Sequence, residues 1–157
     1  MLNSKVTKIL FFISCLVFLI IVDLYLSNTL VENMARGLRF ECPIFKLHYL
    51  ENTGAAFNIL KDAREALIIF SASAITLIFV YIFNHIKTIS TSTLFWLSML
   101  CAGTFGNMHE RIVIGCVRDF FELTFVNFPV FNISDIMINV SVAILVIMIL
   151  FKKVNKW

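Results

Sequence analysis

Four apolar runs divide the chain, each with the length of a membrane-crossing helix. Such a helix needs about 20 mostly apolar residues. The first run, residues 9–30, carries one charge, Asp23. The second, 66–86, and the third, 91–108, contain no Asp, Glu, Lys or Arg, and the fourth, 134–151, has only Asp135 at its entrance. Local signals agree with these limits. Asp62 and Glu65 form a capping-box-like start to the second run, and Ser90 to Thr93 offer caps for the third. Lys152 and Lys153 close the fourth, where cations suit a helix C-terminus. Between the first two runs the period changes. Phe45, Leu47 and Tyr49 alternate with Lys46 and His48 after Pro43, which is the pattern of a strand. Residues 36–58 are therefore expected to form a small amphipathic sheet or hairpin at the membrane surface. The expected fold is an all-α polytopic membrane domain over residues 1–157, with four transmembrane helices and a small β-rich outer segment.

Composition supports a lipid environment. The chain is 60% hydrophobic and only 15% charged, with a mean hydropathy of +0.92, against roughly 45–50% and about 25% in soluble domains. One small soluble core could not bury that surplus. A net charge of +3, with no basic stripe interleaved with aromatics, gives no reason to expect nucleic acid. Lys5 and Lys8 before the first run could open a cleavable signal peptide, but no small-residue cleavage site follows at a suitable distance. Cys15 and Cys101 fall in apolar runs and Cys42 and Cys116 in outer loops, and no spacing demands a disulfide or a metal site.

The distribution of charge sets an orientation. Lys5, Lys8, Lys87, Lys152, Lys153 and Lys156 crowd into short tails and one short connection. The two long connections hold the other seven basic residues. Basic density places both termini in the cytoplasm. All ten acidic residues lie in or toward the opposite side, so the chemistry is expected at the outer face.

Ionisable residues in spans are costly and are candidates for function by default. Asp23 could snorkel, pair with a basic group, or contact substrate. Asp119 and Asp135 are expected at similar outer depth, at the end of the third span and the start of the fourth. Asp135 alone could be a helix cap, and Asp119 alone an ion-pair partner of Arg111 or Arg118. Together, two carboxylates in a low-dielectric site cannot both ionise easily, so one keeps a proton. One could then activate water while the other donates to a peptide carbonyl oxygen. Two readings remain beside this one: a small helical transport or assembly subunit whose polar residues line a pathway or interface, and a protein that binds substrate without cutting it.

Three ordered blocks resemble the lipoprotein signal peptidase (signal peptidase II) family: NTGAAF at 52–57, GTFGNMHERIVIGCVRDFF at 103–121 and FPVFNISD at 128–135. The resemblance implies an aspartic endopeptidase with a four-helix membrane domain and a small periplasmic β-cradle. Asp119 and Asp135 would be the catalytic dyad. Asp23, Asn52, Gly54, Asn107, Arg111 and Asn132 would support the dyad or hold substrate. The implied substrates are diacylglyceryl-modified prolipoproteins, cut before the lipidated cysteine in a bacterial inner membrane. Membrane lipid is then the other partner; no cofactor or metal is implied, and nothing calls for more than a monomer. Ser27, Glu110 and Ser134 depart from the family pattern, standing where Lys, Asp and Ala are usual.

Overall fold

The computed structural model describes residues 4–55 and 59–154, the last three as backbone. Ala56 and Phe57 of the first block, the side chains of Lys152 and Lys153, and Lys156 lie outside the described residues. Four helices are present: α1 (Ser4–Ala35), α2 (Arg64–His85), α3 (Thr91–Val113) and α4 (Ile133–Val154). Of these, α1, α2 and α4 are long and apolar enough to cross a membrane. Phe18 and Ile21 of α1, Phe70 and Leu77 of α2 and Ile149 of α4 are exposed, as side chains facing lipid would be. On α2, the Ser73 and Thr76 hydroxyls bond carbonyl oxygens four residues back, at 2.7 and 2.8 Å. That satisfies them without a neighbouring helix.

The centre of the bundle is α3, which packs against the other three helices. Its buried face includes Leu94, Leu97, Ser98, Cys101, Ala102, Gly103 and Gly106. Small residues let helix backbones approach closely, so the interior helix is the least apolar of the four. The two ends of the bundle differ in kind. At one end, Phe12, Ile82, Ile86, Ile89, Leu94, Leu97 and Cys101 form an apolar core. There the Lys8 ammonium donates to the carbonyl oxygens of Ile86, Lys87 and Ile89 at 3.3, 3.1 and 2.8 Å, closing the α2–α3 turn. The other end holds the buried ionisable residues Asp23, Glu110, Arg111 and Asp119.

Two strands, β1 (Phe45–Asn52) and β2 (Val117–Leu123), pair antiparallel over that polar end. Phe45 lies opposite Leu123 and Asn52 opposite Val117, with a register break between Leu47 and Leu50. The expected local hairpin is thus reduced to one bridge, Glu41 with Lys46. The main partner of β1 comes from beyond α3.

Two other expectations change. Asp119 lies within β2 rather than at the end of a helix, because α3 stops near Gly115, whose φ of 98° turns the chain into the strand. The cap of α2 is Ala63, with no side-chain hydrogen bond. Asp62 instead takes a φ of 61° in the preceding turn. The expected cap of α3 is present: the Ser90 hydroxyl accepts the Thr93 N–H at 3.0 Å.

Candidate active site

Asp119, in the middle of β2, is 1% exposed. Asp135 is the third residue of α4, and Asn132 immediately precedes that helix. The Asp135 N–H donates to Asn132 Oδ1 at 2.9 Å, and the Asn132 N–H donates back to Asp135 Oδ2 at 3.1 Å. This reciprocal capping box fixes the Asp135 carboxyl against its own backbone. Asp135 is therefore the acidic partner within the cap, and Asn132 is the capping residue.

Asparagine amides join the two carboxyls. Asn132 Nδ2 donates to Asp119 Oδ1 and to Asn107 Oδ1, both at 3.0 Å. Asn107 Nδ2 donates to Asp135 Oδ1 at 2.8 Å. On the far side of Asp119, Asn52 Nδ2 donates to Oδ2 at 2.9 Å. The amide directions follow from chemistry. Asn52 Oδ1 accepts the Gly54 N–H at 2.9 Å and Asn132 Oδ1 accepts the Asp135 N–H, so both NH2 groups must point at carboxylates. All four carboxyl oxygens then receive a donor.

Arg111 closes the ring without an ion pair to either carboxyl. Its guanidinium donates to Gly54 O at 2.7 Å and to Asn107 O at 3.1 Å. Arg118 is also engaged elsewhere. It pairs with Glu110, whose second oxygen accepts the Arg118 backbone N–H at 2.7 Å, and it donates to Asn28 Oδ1 at 2.8 Å. The structure thus gathers Asn52, Gly54, Asn107, Arg111, Asn132 and both aspartates into one hydrogen-bonded set. Among the described residues, no three His, Cys, Asp or Glu side chains are placed to hold a metal ion.

Asp23 stands outside that ring. It is 3% exposed, so it does not snorkel, and its Oδ2 accepts the Ser134 hydroxyl at 2.8 Å. Gly106 lies against this pair; a Cβ there would run into both side chains. Asp23 is therefore tied to the first turn of α4, one residue before Asp135. Sequence reasoning noticed Ser134 only as a departure from a pattern, because its partner lies a whole bundle away in sequence. Arg64, which donates to the last carbonyls of α3 at Arg111 and Ile112, went unforeseen for the same reason, and the Glu110–Arg118 pair because it spans the turn from α3 into β2. Cys42 and Cys116 are both free thiols.

An apolar groove of about 410 Å3 opens beside Asp135. Leu67, Phe70 and Ala74 of α2, Leu100 of α3 and Ile138 of α4 line it.

A family model described as signal peptidase (SPase) II matches residues 15–151. The chain belongs to the signal peptidase II family. It is a protease of that type. It is 36% identical over 121 residues to a lipoprotein signal peptidase of Campylobacter jejuni, an alignment covering 76% of this chain and 77% of the relative. It is 33% identical over 139 residues to one of Streptococcus pneumoniae, covering 87% and 90%. A solved bacterial membrane enzyme, determined by the in meso method at 2.3 Å resolution, superposes with a TM-score of 0.80 at 28% identity, covering 93% of this peptidase and 91% of that chain. The blocks carrying Asn52, Asn107, Asp119, Asn132 and Asp135 all fall within the matched region. The chain is a bacterial membrane protein.

Proposed function

We propose that this peptidase is an intramembrane aspartic endopeptidase that removes signal peptides from diacylglyceryl-modified prolipoproteins, cutting before the lipidated cysteine. The observation that carries the proposal is the buried Asp119 carboxyl joined through Asn132 to the half-buried Asp135 carboxyl. Asp119 is the proton donor. Burial pushes its carboxyl up to about 7 from an ordinary 3.8, against the opposing hydrogen bond from Asn52, so it holds a proton near neutrality. Asp135 is the base, in the first turn of α4 where a helix favours negative charge. It takes a proton from water as the oxygen attacks the scissile carbonyl, while Asp119 protonates the developing oxyanion. Asp135 then gives its proton to the amine nitrogen as the C–N bond breaks, and Asp119 regains a proton from the intermediate's hydroxyl as the carbonyl reforms. No covalent intermediate forms and the two carboxyls need no cofactor. Arg111 and Asn52 support the ring, and Asp23 positions α4 through Ser134.

The apolar groove suits the hydrophobic stretch that precedes a signal-peptide cleavage site. In this reading α3 is a fourth span, hidden from a hydropathy criterion by its interior position. Both termini are cytoplasmic, the sheet is a periplasmic cradle at the outer face, and a monomer surrounded by membrane lipid is sufficient.

Two measurements test the reading. Purified protein in detergent should cleave a diacylglyceryl-modified precursor and leave the unlipidated form intact; equal cleavage of both would remove the lipid from the specificity. The pH profile should show activity falling as pH rises past about 7. The sign follows from the raised Asp119 carboxyl, which is protonated below that value and loses its proton above it. A rate constant that keeps rising to pH 9 would take the donor role from Asp119.

A further inference from the structure

A second cavity, of about 630 Å3, lies on the sheet side of the dyad. It is lined by His48, Leu50, Glu51 and Asn52 of β1, by Glu122 of β2, by Lys61 and by the segment from Asn127 to Val130. It adjoins the apolar groove: Asn52, Ala55 and Phe128 to Val130 line both. Asn52 hydrogen-bonds Asp119 while Asp135 lines the groove. The dyad therefore stands where the two depressions meet, and a peptide bond held there has one flank in each.

The two depressions differ in chemistry. The groove beyond that shared rim is walled by helices, with Leu67, Phe70, Ala74, Leu100 and Ile138 supplying an apolar surface. The cavity lies among strands and loops, with Glu51, His48 and Lys61 exposed. Glu122 already has partners. Its carboxylate meets the Lys46 ammonium at 3.0 Å and the His48 ring, and the Lys46 hydrogen bond holds its carboxyl below the usual range. Glu51 accepts only a neutral hydroxyl, from Tyr49 at 3.2 Å, and no acidic side chain of the described residues meets Lys61 within 4.0 Å. These two opposite charges are the ones available to a ligand.

We infer that this cavity is a second substrate subsite that holds the polar residues following the scissile bond, and that Glu51 and Lys61 read their charge. The inference rests on the peptidase reading. The apolar flank of a signal peptide precedes the cleavage point and matches the groove, so the chain beyond that point is directed into the cavity. Acyl chains do not suit a site rimmed by charges, since burying a charge against hydrocarbon is costly. An extended polar peptide does. Its main chain can meet strand edges, and its side chains can meet Glu51 or Lys61.

The test uses three lipidated precursors that differ only in the two residues after the cysteine: Ser-Ser, Lys-Lys and Glu-Glu. They are cut by wild-type protein and by Glu51→Lys and Lys61→Glu variants in detergent. Both changes are on exposed side chains outside the hydrogen-bonded ring, so cleavage of the Ser-Ser precursor should stay within about two-fold of wild type. Glu51→Lys should shift the Lys-Lys to Glu-Glu ratio of kcat/KM about three- to five-fold toward Glu-Glu, and Lys61→Glu by a similar factor toward Lys-Lys, as expected for single exposed charge pairs. The shift should appear in KM. Unchanged ratios in variants that cut all three substrates would overturn the subsite and leave the peptidase reading intact. Failure of wild-type protein to cut any of them would overturn the peptidase reading itself.

Discussion

Asparagine at position 119 or 135 should lower kcat for a lipidated precursor by about 100- to 10,000-fold, the usual contribution of a positioned acid or base. At 119 the reason is structural as well as electronic. Both carboxyl oxygens accept amide hydrogens, from Asn132 and from Asn52. The NH2 of a new asparagine must face one of those donors, so one bond is lost and no acidic proton remains. At 135 the carboxyl meets the Asn107 amide and the Asn132 backbone N–H, and an asparagine there opposes one of them in the same way. Each lost hydrogen bond costs about 1 kcal/mol of stability, which a folded protein can tolerate. Thermal unfolding in detergent should therefore shift by only a few degrees while cleavage disappears. A folded variant that keeps more than a tenth of wild-type activity would remove that carboxyl from the chemistry.

The second large effect is steric and lies away from the carboxyls. Gly103→Ala should reduce both stability and cleavage. A Cβ at 103 would stand 2.5 Å from the main-chain oxygen of Ser134 and 3.0 Å from Met137 Cβ and Ile138 Cγ1. Ser134 O cannot rotate aside, because it belongs to the first turn of α4. The helix must move, and Asp135 with it. Overpacking of this kind costs about 1–3 kcal/mol, and a displacement of about 1 Å at a catalytic group can cost about 100-fold in rate. The expected result is a lower unfolding temperature and a cleavage rate reduced about 10- to 100-fold. A variant with wild-type values in both would show that α4 takes its register from somewhere other than Gly103.

What the sequence revealed tracks how local each signal is. The apolar runs located all four helices, with ends misjudged by a few residues, because hydropathy is read over one stretch of chain. The alternation in Phe45 to Tyr49 located β1 for the same reason. Val117 to Leu123 lacks alternation, since Val117, Asp119 and Phe120 are all buried, so β2 passed as a loop. The candidate residues were legible as polar groups in costly places and as blocks resembling a known family. Their wiring was not. That Asn132 would join two aspartates depends on how the loop after β2 returns to the start of α4, and that Asp23 would reach Ser134 depends on a contact between the first and last helices. The α2 cap failed at the level of the turn: Leu60 and Asp62 both take positive φ, and Asp62 is carried out of the capping position.

The fixed direction of the amides has a consequence for how such a site can change over generations. The codons of asparagine and aspartate differ by a single base, so Asn→Asp is among the commonest changes that mutation offers at positions 52, 107 and 132. It is also isosteric, and packing would not reject it. Yet Asn52 and Asn132 turn their NH2 toward Asp119, and Asn107 turns its own toward Asp135. Each replacement would exchange an amide donor for a further carboxyl facing Asp119 or Asp135. What these three positions require is the orientation of a dipole, and the substitution that looks mildest by size is the one that removes it.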